Sequence, residues 1–74
     1  MSQLEIVVNG EPTEVEVGST VADLVDRLGL RPEAVAVERN GAIVPRATYG
    51  QAGLAACDRL EVVGFVQGGA DARI

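Results

Sequence analysis

The chain has 74 residues, of which 47% are hydrophobic, and its 11 acidic and 6 basic side chains give a net charge of -5. This length allows a single small domain, and with Tyr49 and Phe65 as its aromatic residues the core must consist of Val, Leu, Ile and Ala. The negative charge repels phosphate groups, so nucleic acid and anionic membrane surfaces are excluded as expected partners.

The residue types also limit the chemistry that the chain can perform. It contains no His and a single Cys, Cys57, so zinc sites and Ser-His or Cys-His catalytic arrangements cannot form within it. We therefore expect a protein substrate or carrier rather than an enzyme, with no metal site and no cofactor. No apolar run approaches about 18 residues and the N-terminus lacks a signal-peptide pattern, so a cytoplasmic location is predicted.

The chain begins with the pattern of a β-hairpin. Apolar residues alternate over residues 4–8, and Asn9-Gly10 then provides a tight turn. A second strand is predicted over residues 13–17, in which Val15 and Val17 share one side.

A helix is predicted over residues 21–28. Its apolar positions follow the spacing of one helix face and are Val21, Leu24, Val25 and Leu28. Ser19 or Thr20 can supply the N-cap, and Asp23 completes a capping box with Thr20. Gly29 suits the C-terminal cap, and Pro32 prevents continuation of the helix.

Three further strands complete the predicted sheet. Residues 34–39 alternate, Asn40-Gly41 turns the chain into a short strand over residues 42–44, and a last strand runs from residue 59 to about residue 66. The connection over residues 46–57 contains Leu54, which we expect to fill the core. The order predicts an α+β fold, a mixed five-strand sheet with one helix packed across one face. The strand residues expected to be buried together are Ile6, Val8, Val15, Val17, Val35, Val37, Leu60 and Val62.

Four short motifs accompany this order of elements. They are Val8-Asn9-Gly10 in the first turn, the run Asn40-Gly41-Ala42-Ile43-Val44-Pro45-Arg46, the run Asp58-Arg59-Leu60-Glu61-Val62-Val63, and Gly68-Gly69. Together they resemble the ThiS family of ubiquitin-like sulfur carrier proteins of thiazole and thiamine biosynthesis. The resemblance covers residues 4–69 and implies a ubiquitin-like β-grasp domain over residues 1–66.

The resemblance also implies that Gly69 is the reactive residue and that Gly68 is its spacer. An ATP-dependent, E1-like adenylyltransferase of the ThiF type would adenylate the Gly69 carboxylate, and sulfur from a persulfide would replace AMP. The resulting thiocarboxylate would deliver sulfur to a thiazole synthase of the ThiG type. Two glycines suit this step independently of the family, because backbone without side chains can thread into an enzyme cleft.

Residues 67–74 are predicted to be a flexible tail that contains the glycine pair. A five-residue extension follows the pair, namely Ala70-Asp71-Ala72-Arg73-Ile74. In the family the pair normally closes the chain, whereas here the Gly69 carbonyl belongs to an amide and cannot be adenylated. We therefore expect a processing protease to remove residues 70–74 before activation.

A partner-binding surface is predicted on the sheet face that the helix leaves open. Leu60 and Val62 share the helix side of the last strand, so the residues that alternate with them face the other side. An exposed aromatic among aliphatic residues near a reactive terminus is typical of a docking surface. The predicted contact residues on this face are Val7, Glu61, Val63 and Phe65, and Arg46 after the short strand is a further predicted contact. The alternatives are a local plug over the sheet edge for Phe65 and a solvated charge for Arg46.

Other functions remain open from the sequence. A sulfur carrier could serve cysteine, molybdopterin or another sulfur metabolite instead of thiazole. The chain could also be a ubiquitin-like modifier attached to lysines, or a β-grasp interaction module whose tail is never activated. Cys57 is interpreted as a small apolar residue at a strand entry, with a persulfide acceptor as the alternative.

Overall fold

The computed structural model describes residues 2–65 and 71–73, with the side chains of residues 65 and 71–73 excepted. Its helix and strands in chain order are β1 (Gln3–Val8), β2 (Glu11–Glu16), α1 (Val21–Arg27), β3 (Val35–Arg39), β4 (Ala42–Ile43), β5 (Arg59–Phe65) and β6 (Asp71–Arg73). Short 3-10 turns at Pro32–Ala34 and Arg46–Thr48 lie in the connections.

The strands form one mixed sheet in the order β2-β1-β5-β3-β4. β1 runs parallel to β5, whereas the β1–β2, β3–β4 and β3–β5 pairs are antiparallel. β5, the last of these five strands in the chain, therefore lies at the centre of the sheet. The predicted fold class, a mixed five-strand sheet with one helix, is confirmed, and β6 adds a sixth strand beside the end of β5.

The two hairpin turns have the same sequence and the same backbone shape. Asn9 and Gly10 have φ angles of 51° and 83°, and Asn40 and Gly41 have φ angles of 53° and 86°. Two consecutive positive φ angles give a turn whose twist matches that of the flanking strands, and Asn followed by Gly adopts them most readily. Both turns therefore form where the sequence predicts them.

α1 begins at a capping box, as predicted. The hydroxyl of Thr20 accepts a hydrogen bond from the Asp23 N–H at 3.2 Å, and the Asp23 carboxylate accepts one from the Thr20 N–H at 2.9 Å. Thr20, and not Ser19, is thus the N-cap. At the other end Gly29 has a φ of 76°, which places it in the left-handed conformation of a helix C-terminal cap.

The core lies between α1 and one face of the sheet. Its buried residues are Ile6, Val8, Val15, Val21, Leu24, Val25, Val35, Val37, Val44, Tyr49, Leu54, Leu60 and Val62. The prediction for Leu54 is confirmed, as are seven of the eight predicted strand residues. Val17 was predicted wrongly, because β2 ends at Glu16 and the Val17 residue is 57% exposed.

The extension after the glycine pair contains a strand that the sequence did not predict. Asp71–Arg73 pairs antiparallel with the end of β5, in the register Val63↔Arg73, Gly64↔Ala72 and Phe65↔Asp71. Residues 66–70 and 74 lie outside the described residues, so the flexible tail as a whole stays a prediction. Within it, residues 71–73 belong to the sheet.

Candidate functional site

The reactive site predicted from the sequence lies beyond the end of β5. This strand ends at Phe65, and Gly68 and Gly69 follow three and four positions later. Both glycines lie outside the described residues, so their role stays a prediction. The described part of the site is the strand that leads to them and its surroundings.

Asn9 holds the middle of β5 through its side chain. Its Oδ1 accepts a hydrogen bond from the Val62 N–H at 2.8 Å, and its Nδ2 donates one to the Val62 carbonyl at 3.2 Å. The main-chain N–H of Asn9 donates to the Leu60 carbonyl at 2.9 Å. The Asn9 amide thus continues the parallel β1–β5 ladder by one step after β1 has ended at Val8.

Asn40 holds the start of β5 in a similar way. Its Oδ1 accepts from the Arg59 N–H at 2.9 Å, and its Nδ2 donates to the Asp58 carboxylate at 3.1 Å. The other oxygen of the buried Asp58 carboxylate accepts from the Ala55 N–H at 2.9 Å and lies 3.8 Å from the Arg39 guanidinium. The asparagines of the two motifs therefore fix β5 from both sides, and their role here is structural.

The face of the sheet opposite α1 contains three of the predicted contact residues. Val7, Glu61 and Val63 alternate with core residues of their strands, and each is half-buried. The register places Ala36 opposite Val63 on this open face. Alternation along β5 assigns Phe65 to the same face, but its side chain lies outside the described residues and its contact role stays a prediction.

The open face is acidic. Glu5 lies directly opposite Glu14, and Glu38 lies directly opposite Glu61. Like charges directly opposite one another on neighbouring strands destabilise a sheet, so folding stability does not account for the Glu5–Glu14 pair. Ile43, opposite Glu38, is 64% exposed, and the sequence analysis did not select it. Its position in a two-residue edge strand gave no periodic signal for either face.

Arg46 bonds to main-chain carbonyls, and its contact role stays a prediction. Its Nε donates to the Pro32 carbonyl at 2.9 Å and its Nη2 donates to the Val35 carbonyl at 3.3 Å. The Val37 carbonyl accepts a hydrogen bond from the Val44 N–H, so it points to the edge of β3 that faces away from β5. Main-chain groups of alternate residues point to the same edge, so the Val35 carbonyl points there as well. Arg46 therefore ties the 3-10 turn after β4 to the far edge of β3.

Cys57 is exposed and has a φ of 70° in the turn before β5. Within residues 2–65 and 71–73, no cluster of three or more His, Cys, Asp or Glu side chains is placed to hold a metal ion. No helix in the same part of the chain is long and apolar enough to cross a membrane.

A surface groove of about 420 Å³ lies between α1 and the β1–β2 hairpin. Its lining residues are Val8, Asn9, Glu11, Thr13, Leu24, Arg27 and Leu28. None of the predicted reactive or contact residues is among them. The groove is thus separate from the candidate site.

Comparison with known proteins supports the interpretation of the motifs. The model of the ThiS family matches residues 6–69. The chain belongs to the ThiS family. A crystal structure of the thiamine biosynthesis protein ThiS from Geobacter metallireducens superposes with a TM-score of 0.75 at 29% identity, covering 89% of this chain and 100% of that one. The β-grasp fold is thereby established.

Two curated relatives are much longer than this chain. A thiazole synthase of Magnetococcus marinus is 50% identical over 66 residues, which are 89% of this chain and 20% of that protein. A thiazole synthase of Paramagnetospirillum magneticum is 41% identical over 68 residues, which are 92% of this chain and 21% of that protein. The chain thus spans about a fifth of the length of these relatives.

Proposed function

We propose that this chain is a sulfur carrier for thiazole formation in thiamine biosynthesis, and a protein substrate rather than an enzyme. The observation that carries the proposal is the extent of the family match, which ends at Gly69. This is the residue whose carboxylate would carry the sulfur. The likeness to a ThiS thiamine biosynthesis protein over the whole of that protein's length supports the same function.

In the proposed reaction, the Gly69 carboxylate attacks the α-phosphate of ATP and pyrophosphate leaves, which gives an acyl adenylate. A persulfide sulfur of a donor protein then attacks the acyl carbon, and AMP leaves. A thiol reduces the resulting acyl disulfide, so that the donor leaves in a mixed disulfide with this thiol and a thiocarboxylate stays on Gly69. The chain supplies the carboxylate and a narrow glycine backbone, whereas the catalytic groups belong to its partners. Because the first step consumes ATP, the proposal places the carrier in the cytoplasm.

The proposed partners follow from this sequence of steps. A ThiF-type adenylyltransferase forms the acyl adenylate, and a ThiG-type thiazole synthase accepts the sulfur. The two relatives named thiazole synthase support the second partner, because each contains a segment similar to this chain within a longer polypeptide. Joining a carrier to its acceptor in one chain would raise the effective concentration of one for the other. In a chain in which residues 70–74 follow Gly69, a protease must first hydrolyse the bond between residues 69 and 70.

The open face is the proposed docking surface for the adenylyltransferase. Val63 and Val7 supply half-buried apolar contacts, and Phe65 follows on the same strand beside the glycines. The pair Glu5–Glu14 favours a partner with a basic surface, since such a surface would relieve the repulsion within the pair. Arg46 is a further proposed contact, and its guanidinium also bonds two main-chain carbonyls.

Intact-mass measurement on defined chains tests the proposal. A chain ending at Gly69 is incubated with ATP and the adenylyltransferase of its own genome, and then with a persulfide donor and a thiol. We expect first an adenylate and then a mass gain that corresponds to exchange of one oxygen for one sulfur. The chain of 74 residues should form no adenylate, because its Gly69 carbonyl is an amide.

Two variants of the chain ending at Gly69 serve as controls. Gly69→Val should prevent adenylation by crowding the cleft, whereas Cys57→Ser should leave the mass gain unchanged because Cys57 takes no part. Failure of the chain ending at Gly69 to form an adenylate would reject the carrier function. Adenylation of the uncut chain would reject Gly69 as the reactive residue.

A further inference from the structure

Along the edge of β5 that faces β1, the main-chain groups bond to different partners from one residue to the next. The Leu60 carbonyl accepts the Asn9 N–H, and both main-chain groups of Val62 bond to the Asn9 side chain. Main-chain groups of alternate residues point to the same edge of a strand, so Gly64 is the next residue that faces this edge. Ala72 of β6 lies opposite Gly64.

The described pairing of β6 with this edge is short. Alternation makes Gly64 and Ala72 the hydrogen-bonded pair, and the two pairs that flank it, Val63↔Arg73 and Phe65↔Asp71, are not hydrogen-bonded. On the other edge, β3 is registered with five consecutive residues of β5. Among the described residues, β6 is thus paired with three residues of β5 and β3 with five, so β6 is the strand that separates more easily.

The edge that β6 covers suits an extended peptide. Gly64 is buried, and its N–H and C=O groups need partners because buried main-chain groups without them destabilise the fold. Asn9 satisfies both main-chain groups of Val62, and β6 continues this edge at Gly64. An open strand edge is a template for pairing with another extended segment.

We propose that residues 63–65 form a strand-addition site and that Asp71–Arg73 occupy it as a displaceable strand. Gly68 and Gly69 lie between the paired positions Phe65 and Asp71 in the chain. While β6 is paired with β5, Phe65 and Asp71 lie on adjacent strands about 5 Å apart. A narrow cleft of an activating enzyme would accept one extended backbone and not two. Separation of β6 must therefore precede use of the glycines. This last consequence rests on the proposed function, and the strand-addition site does not.

Amide hydrogen exchange on the full chain tests the site without sulfur chemistry. We expect the Gly64 N–H to exchange at least about tenfold more slowly than an unprotected amide, and at least about tenfold faster than the Glu61 N–H, which faces β3. Ala72→Pro removes the Ala72 N–H, which bonds the Gly64 carbonyl, and proline is not tolerated at a paired position of a strand. The variant should therefore unpair β6 and raise the exchange rate of the Gly64 N–H to the unprotected value. Ala72→Ser keeps the donor and should leave the Gly64 rate unchanged. The Val62 N–H, which Asn9 holds, should stay protected in each variant.

Two results would overturn the proposal. An unprotected Gly64 amide in the full chain would mean that β6 does not occupy the edge. A Gly64 amide protected as strongly as that of Glu61 would mean that β6 is a permanent part of the sheet. Neither measurement involves adenylation, so a carrier experiment that fails leaves these rates as they are and the two proposals are rejected separately.

Discussion

Asn9 meets two demands that few residues meet together. Its φ of 51° lies in the left-handed region, which Asn and Gly adopt most readily, and its amide bonds both main-chain groups of Val62. Gly would satisfy the first demand alone. The choice of Asn at this turn is therefore explained both by the turn and by the strand that it contacts 53 positions later.

Variants at position 9 test the turn conformation and the bonds to Val62 separately. Asn9→Gly should lower the free energy of unfolding by about 1–3 kcal/mol, because the turn is kept while the partly buried Val62 groups lose their partner. Urea denaturation followed by circular dichroism measures the change. Asn9→Asp keeps the acceptor and loses the donor, so its effect should be smaller. A free energy within about 0.5 kcal/mol of the parent chain for Asn9→Gly would show that the amide contributes nothing.

The sequence predicts most single residues of the core, and Val17 shows where such reasoning fails. Parity assigns Val17 to the side of Val15, but parity has meaning only while a strand continues. β2 ends at Glu16 opposite Gln3, and Gly18 with its φ of 95° then turns the chain away. Where a strand ends depends on the length of its partner strand. The alternation of residues within one strand carries no information about that length.

At the scale of elements, α1 is short and depends on its first turn. It has seven residues, fewer than an isolated helix needs in water, so its N-cap and its packing must hold it. The sequence offers two hydroxyls for the cap, and the structure selects Thr20.

This selection gives a matched pair of variants. Thr20→Ala should lower the free energy of unfolding by about 0.5–2 kcal/mol, since it removes the acceptor of the Asp23 N–H. Ser19→Ala should have a clearly smaller effect, because Ser19 does not cap the helix. Thermal or urea melts of both variants measure the difference. Equal losses in the two variants would contradict the assignment of the cap.

Elements with local signals were predictable and the others were not. Both Asn-Gly turns and the helix caps depend on neighbouring residues, so their sequences suffice. Tyr49 is buried without any periodic pattern, because it lies in a connection that is bonded to α1 through the Ala22 N–H and the Tyr49 carbonyl. β6 has only three residues and no apolar alternation, and it depends on the free edge of β5. The candidate site follows the same division, since the open face was predictable by parity and the edge of β5 was not.

At the scale of the whole molecule, the Glu5–Glu14 pair of the open face opposes folding and, under the proposed function, favours association with a basic partner. Glu5→Lys replaces the repulsion with Glu14 by attraction, so it should raise the free energy of unfolding by about 0.2–1 kcal/mol. It should also slow association with a basic adenylyltransferase and reduce the salt dependence of that rate. Stopped-flow or surface binding kinetics at two salt concentrations, with a urea melt, measure both effects.

A control variant makes the same change of charge at a position outside the open face. Glu33→Lys lies on the 3-10 turn before β3 and leaves the open face unchanged. It should therefore alter the association rate much less than Glu5→Lys does. Equal slowing by both variants would mean that net charge steers the encounter and that the open face has no special part in it.

The central place of β5 also determines when the domain can fold during synthesis. Each hairpin, β1–β2 and β3–β4, can form from neighbouring residues as the chain emerges, but the two are joined only through β5. The contact of Asn9 with Val62 closes a loop of almost the whole domain, and such distant contacts form late in folding. A chain released from the ribosome before residue 62 has two hairpins and no sheet centre. The open face and the folded domain therefore appear together, and only after β5 has been made.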